Sequence, residues 1–419
     1  MRLRIDEERL RGDIEANAGF GAVAGEGHGR TNLTGSEANR DAREYLVSRM
    51  EAAGLEVRVD AVGNVVGHWT PERASPRREP IASGSHLDSV PEGGIFDGPL
   101  GVYAALESVR AMQDAGIEPE RPIAVVSFTE EEGQLFAPGL LGSSVAVGER
   151  RVEEALALDD GEGRTLEDAL EEIGFRGEGR LDAAGWEAFV ELHVEQHDRL
   201  ETMGIPVGIV SAITGITHCA VSIRGEANHA GATPMVDRTD ALCAASEFVL
   251  DVERAANETV AVDSESAVGT VGSLEVRPNA TNVVPGSVDL SVDVRDVEYD
   301  AMNAIVGRAE RSLARIERER GVETTLDRGF DLEPTPMSPR VGEAARAAGE
   351  EAGITTMDLH SGAAHDAMHV ARVTDVGMLF APSRDGVSHS PREWTDWEDC
   401  ARATRVLAGT LARLAGTTP

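Results

Sequence analysis

Three apolar runs in this chain stop at side chains able to ligate a metal ion, and that repeated juxtaposition constrains the fold more than any other feature. The run 80–85 leads into His86-Leu87-Asp88, the run 122–128 (PIAVVSF) into Glu130-Glu131-Glu132-Gly133, and the run from Ala188 into Leu192-His193-Val194-Glu195-Gln196. Short, almost wholly apolar runs bounded by turn residues read as strands buried on both faces, which belong to parallel sheets covered by helices. In an open α/β sheet the functional site lies beyond the carboxyl ends of the strands. All three clusters are therefore expected along one edge.

Elements of the other type separate these runs. Residues 36–54 (SEANRDAREYLVSRMEAAG) read as a capped amphipathic helix closed by glycine, and 55–59 with 64–69 as a strand pair. A Gly/Pro-rich loop carries a lone Asp97 in Phe96-Asp97-Gly98, and Val102, Ala105, Leu106, Val109 and Met112 follow with helical spacing. From about 211 the texture changes: strands at 217–224, 267–274, 287–295 and 323–329 and helices at 239–256 and 299–319 follow a β-α-β-β-α-β order. Beyond Pro334 the first pattern returns, with a strand at 376–380 ahead of a loop bearing His389. The expected fold is α/β: a metal-binding domain of residues 1–212 and 330–419 with a mixed, mostly parallel sheet flanked by helices, and an inserted α+β, ferredoxin-like domain of residues 213–329.

A pair of divalent cations bridged by one carboxylate accounts for this supply of side chains. Asp97 can bridge, His86 and His193 can complete one ion, and Glu132 and His389 the other, with coordination left open for water. Imidazole and carboxylate ligands suit zinc, manganese, cobalt or nickel. Glu131, adjacent to a ligand but not needed as one, is placed to act as general base and later to protonate a leaving nitrogen. Asp88, two residues beyond His86, is placed to orient its imidazole. His365 and His369 in GAAHDAMHV read as either pocket residues or satisfied helix-surface histidines.

The segments GSHLDSVPEGGIFDGPLGV, FTEEEG, ELHVEQ, GEANHAGATPM, PNATNVVPG with VDVRD, SGAAHDAMHVA and GVSHSP occur in this order across nearly the whole chain. Together they resemble the M20-type metal amidohydrolases of the N-carbamoyl-L-amino acid hydrolase and allantoate amidohydrolase branch. The resemblance implies the same ligands, His86, Asp97, Glu132, His193 and His389, and the same base, Glu131. It further implies Arg295 as a clamp for a substrate carboxylate, Gln196 and Asn282 as hydrogen-bonding partners, Gly362 as a backbone contact and His229 as donor to a developing oxyanion. Arg295 read on its own could equally anchor a surface salt bridge. In such relatives the inserted domain serves as lid and dimerisation module and often supplies that histidine to the partner subunit, so a homodimer is expected. The implied reaction is hydrolysis of the ureido C–N bond of an N-carbamoyl-L-amino acid or related ureido acid. Allantoate amidohydrolase is the alternative; an M20-type peptidase or aminoacylase and a catalytically inactive metal-binding scaffold are further ones. Two departures fall in the substrate region: His197 follows Glu195-Gln196 where relatives commonly have glycine, and Leu135 stands where they commonly have arginine.

Charge narrows the setting. The chain has 74 acidic residues against 39 basic ones, every one of the latter arginine, for a net charge of −35. That balance disfavours nucleic acid and anionic membrane as partners, because both reward cationic side chains. Three well-separated cysteines suggest no disulfide framework, and the charged, amphipathic start MRLRIDEERL lacks the apolar core of a signal peptide, so a reducing cytoplasm is expected. Acidic groups interspersed with apolar periodicity point to a folded chain in a high-salt cytosol, where screening relieves self-repulsion. The melting temperature is expected to rise as KCl is added; a melt unmoved by salt would contradict this reading.

Overall fold

A computed structural model of the chain describes residues 3–25, 27–137 and 139–417. The chain divides into two compact units, one of Met1–Ser211 with Met337–Pro419, the other of Ala212–Pro336.

The first unit opens with helices Glu7–Gly19 and Glu37–Ala52, whose first turns are capped by the Asp6 and Ser36 side chains. Strands β1 (Glu56–Val59) and β2 (Val65–Trp69) form an antiparallel pair. Then come β3 (Ile81–His86), helix Pro99–Asp114, β4 (Ile123–Phe128), β5 (Ala188–Val194) and β6 (Val207–Ile213). Every residue of β3, β4 and β5 is buried, which is why none shows the alternation of a half-exposed strand.

In the second unit, β7 (Gly215–Arg224), β9 (Val268–Arg277), β11 (Ser287–Asp296) and β12 (Glu323–Leu332) form an antiparallel sheet in the order β12-β7-β11-β9. The short strands β8 (Asn228–His229) and β10 (Val283–Val284) pair with each other. Burial alternates along β11, and its inward residues Val288, Leu290, Val292 and Val294 share a core with Phe248 of helix Ala241–Val262 and Ile305 and Leu313 of helix Tyr299–Arg320. This is the β-α-β-β-α-β order read from the sequence. The unit ends at Pro336 rather than at 329, because a shift of register after Asp327 lets β12 continue to Leu332 opposite Ile216, and β13 (Thr335–Pro336) then pairs with Ile213 and Ala212. Gly329 read as a strand end is instead part of a bulge.

The chain returns through helix Pro339–Ala352, β14 (Thr356–Ser361), β15 (Asp375–Ala381) and helix Trp397–Leu414. The large sheet runs β1-β2-β4-β3-β5-β15-β6, with β14 also on β6. Its centre, β4-β3-β5-β15, is parallel, and antiparallel pairs flank it on both sides. Four carboxyl ends therefore lie along one edge. Under the sheet, the buried ring of Phe189 lies 5.9 Å from Phe128 and 5.7 Å from Trp186. Phe189→Ala is expected to destabilise the fold by about 3–5 kcal/mol, the usual cost of an aromatic-sized cavity, read as a lower denaturant midpoint.

Candidate metal centre

The parallel strands deliver the side chains. His86 is the last residue of β3, Glu130 to Glu132 follow β4, His193 lies one residue before the end of β5, and the loop after β15 carries His389. After β4 the chain turns sharply through Glu130, at φ 55°, whose carboxylate accepts the Leu135 and Phe136 N–H groups at 2.7 and 3.0 Å. Asp97 sits in the turn before helix Pro99–Asp114. Gly98, at φ 82°, follows it, and a Cβ there would lie 2.6 Å from the His86 ring, so the turn rests directly on that imidazole.

The carboxylate of Asp97 stands between two groups. Its Oδ1 lies 3.1 Å from His193 Nε2 and 3.5 Å from His86 Nε2; its Oδ2 lies 3.4 Å from His389 Nε2, which is 3.5 Å from Glu132 Oε2. His86, Asp97 and His193 thus offer one set of ligand atoms within 4.8 Å of one another, and Asp97, Glu132 and His389 a second. Each ring is aimed by its other nitrogen in the first set: His86 Nδ1 meets the Asp88 carbonyl at 3.1 Å and His193 Nδ1 the Val194 carbonyl at 3.0 Å. His86 Nε2 is buried with no hydrogen-bond partner. A buried imidazole nitrogen without a partner, facing two carboxylates, fits a bound cation. Glu131 belongs to neither set; its Oε2 lies 3.6 Å from His86 Nε2 and its side chain is 10% exposed.

Electrostatics follow from crowding these charges away from water. Burial opposes the anionic form of Asp97, yet His193, His389 and His86 hold its carboxyl well below the usual range. Burial lifts Glu131 well above the ordinary carboxyl value and, with the Asp97 charge, lifts Glu132 to about 7. For His86 burial works against the charged ring, but Glu131, Asp97 and Asp88 outweigh it and the pKa is raised well above the usual value; Asp97 raises His193 in the same way. The hydrogen bond to Asp97 takes His389 to about 9.

The remaining expected residues fall in different places. The Asp88 carboxylate does not hold the His86 ring: it is 3.7 Å from Nδ1, and its Oδ2 accepts the Glu132 N–H at 3.0 Å, because the tight turn presents the main-chain carbonyl to the imidazole instead. Gln196 donates to Asp97 Oδ2 at 2.9 Å. Gly362 is exposed just beyond β14. His229, Asn282 and Arg295 belong to the second unit. The His229 Nδ1 accepts the Gly231 and Ala232 N–H groups at 3.0 and 3.1 Å, so in the neutral ring the proton sits on Nε2, and the Asn282 carbonyl accepts the neighbouring Ala230 N–H at 2.9 Å. Arg295 Nε donates to Asp293 at 3.0 Å. His365 is buried, 4.6 Å from the His193 ring, and bonded to Ser361 at 2.9 Å; His369 pairs with Glu149 at 2.7 Å. Of the two departures, His197 is exposed beside Asp198, and Leu135 packs against the core.

Several buried charges here went unread in the sequence. Glu393 accepts the Phe96 and Asp97 N–H groups, Glu191 accepts the Ser85 hydroxyl at 2.7 Å, and Asp366 is wholly buried. Arg30 is buried against the same loops. Glu191 and Asp366 stand inside quoted segments, beside His193 and His365, but nothing local marks them as buried, and Arg30 and Glu393 lie outside every quoted segment.

Fold and site together define a class: an α/β scaffold with two candidate metal-ligand groups that share Asp97 at the carboxyl edge of its parallel strands. Residues 82–413 match the family model of Peptidase family M20/M25/M40, and the chain belongs to that family. It is 38% identical over 416 residues, 98% of each chain, to an N-carbamoyl-L-amino-acid amidohydrolase of Paenarthrobacter aurescens. It is 35% identical over 405 residues, 96% of each chain, to an allantoate amidohydrolase of Bacillus subtilis. An amidase of the hydantoinase/carbamoylase family from Burkholderia multivorans has a similar solved structure, with a TM-score of 0.92 at 34% identity over 99% of this chain and 98% of that one.

A cation must displace the protons that these carboxylates hold on His86, His193 and His389, so affinity is expected to rise with pH. Zinc titrations of the stripped protein at about pH 6.5 and about pH 8.5 check this, the expected outcome being weaker binding at the lower value.

Proposed function

We propose that the protein is an amidohydrolase that cleaves the ureido C–N bond of an N-carbamoyl-L-amino acid, releasing the amino acid, CO2 and ammonia. The observation that carries the reading is Glu131: a nearly buried carboxyl 3.6 Å from the His86 ring, a member of neither ligand group, with burial holding its pKa well above the ordinary carboxyl value. Two divalent ions per subunit, drawn from zinc, manganese, cobalt and nickel, would be held by His86, Asp97 and His193 and by Asp97, Glu132 and His389. When bound, such ions polarise a carbonyl oxygen and lower the pKa of water.

The chain's own groups then divide the work. Glu131 takes a proton from the attacking water and returns it to the leaving α-nitrogen, so that the departing group is a neutral amine and the carbamic acid left behind breaks down to CO2 and ammonia. His229 donates its Nε2–H to the oxyanion that develops on the ureido carbonyl oxygen. Arg295 receives the substrate carboxylate with its planar fork, exchanging part of its contact with Asp293. Asn282 and the Gly362 backbone orient the ureido group, and Gln196 keeps the Asp97 carboxylate facing the ligand groups. The functional unit is a homodimer, with His229 serving the site of the partner subunit, in a salt-rich cytoplasm. Among the described residues no helix is long and apolar enough to cross a membrane.

A second reading, hydrolysis of allantoate, has support from the similarity to the Bacillus subtilis protein over nearly the whole chain. Ammonia release in high KCl, compared across N-carbamoyl-L-amino acids, N-carbamoyl-β-alanine, allantoate and a dipeptide, decides between them. Preference for the carbamoyl amino acids is expected; preference for allantoate would replace the first reading with the second, and cleavage of the dipeptide alone would overturn both. Glu131→Gln is expected to lower kcat by about 10²-fold or more while leaving the metal content intact.

A further inference from the structure

Arg30 lies wholly buried within the turns that carry His86 and Asp97. Its guanidinium spreads its donors over main-chain carbonyls: Nη1 to Leu87 at 2.7 Å, Nε to Gly94 at 3.0 Å, and Nη2 to Asp97 at 3.2 Å and to Asp88 at 3.3 Å. Four contacts from one planar cation tie the two turns to each other. On the opposite side, the buried carboxylate of Glu393 accepts the Phe96 and Asp97 N–H groups through Oε1 at 2.9 and 3.0 Å. Its Oε2 meets the Ser388 hydroxyl at 2.9 Å, and the same hydroxyl lies 2.9 Å from Asp97 Oδ2. Space is kept for this carboxylate, because a Cβ on Gly94 would sit 2.1 Å from Glu393 Cδ.

We propose that Arg30 and Glu393 are positioning residues, which grip the carbonyl and amide sides of the Asp97 turn and set the bridging carboxylate in place before a cation arrives. The inference rests on the metal reading of the site given above. It assigns to Arg30 a role that its charge alone contradicts: a fixed positive charge beside the ligand groups repels cations, so only its hydrogen-bond geometry can favour their binding. Glu393 is the mirror case, since burial and the Asp97 charge lift its carboxyl to about 7 and the negative charge it carries when ionised attracts a cation whether or not its hydrogen bonds matter.

Two conservative substitutions separate geometry from charge. Arg30→Lys keeps the charge and loses the planar fork; Glu393→Gln loses the charge and keeps an acceptor oxygen for both N–H groups. The full-length protein, stripped of metal and shown to be folded by circular dichroism, is titrated with Co2+ and followed by its d–d absorption. Arg30→Lys and Glu393→Ala are expected to weaken Co2+ binding by about 10-fold or more and to alter the d–d band, whereas Glu393→Gln recovers most of what the alanine loses. Wild-type affinity in Arg30→Lys, or a loss in Glu393→Gln as large as in Glu393→Ala, would overturn the proposal in favour of plain charge effects. Should Arg30→Lys not fold, the two Glu393 variants decide alone. Wild-type protein that takes up no Co2+ would overturn the metal reading itself, and this inference with it.

Discussion

The structure turns on the cost of gathering carboxylates out of water at the carboxyl edge of a parallel sheet. Asp88, Asp97, Glu191, Asp366 and Glu393 are all buried there, with Glu131 and Glu132 nearly so. An unpaired buried carboxylate costs several kcal/mol even after relaxation, and the protein meets that cost unevenly. Asp97 is surrounded by three imidazoles and by donors from Gln196 and Ser388, and its carboxyl is held well below the usual range. Burial drives Glu131 and Asp366 the other way. One carboxylate is thus prepared as a permanent anion between two groups of ligand atoms, and its neighbours are left able to carry protons.

The fold makes this gathering possible. Because β4, β3, β5 and β15 run parallel, four segments distant in sequence release their next residues at the same edge. Sharp turns follow β4 at Glu130 and β5 at Gln196, and another lies at His389 in the loop beyond β15. Gln196 and His389, at φ 58° and 53°, occupy the left-handed region that costs a non-glycine residue energy. Strain of that kind persists where surrounding contacts over-determine the geometry, and here both residues face Asp97. The second unit is built differently: a sheet buried on one face only, in the unit that also holds His229, Asn282 and Arg295.

The gathering of the candidate ligands was legible in the sequence, for a definite reason. His86, Glu132 and His193 end or follow uninterrupted apolar runs, and a run without alternation has few folds open to it besides a central parallel strand. Asp97 and His389 were legible as polar residues in Gly/Pro-rich loops next to such elements. The contacts of Asp88 and Gln196 were not. Spacing placed Asp88 near an imidazole, but it could not say whether the carboxylate or the main-chain carbonyl would face the ring, a difference decided by the turn's dihedral angles. Gln196, expected against substrate, is engaged with Asp97 because its backbone conformation swings the amide inward.

The sequence by itself determined the strand order of chemistry: which residue types arrive at which strand ends, the α/β class, the inserted β-α-β-β-α-β segment, and the acidic charge balance. Only the tertiary structure decided which distant groups hold those residues still. Arg30 and Glu393 stand near opposite ends of the chain and meet on the two sides of one turn. Burial and hydrogen-bond partnership of that kind depend on what lies nearby in space, and no local pattern of residues records it.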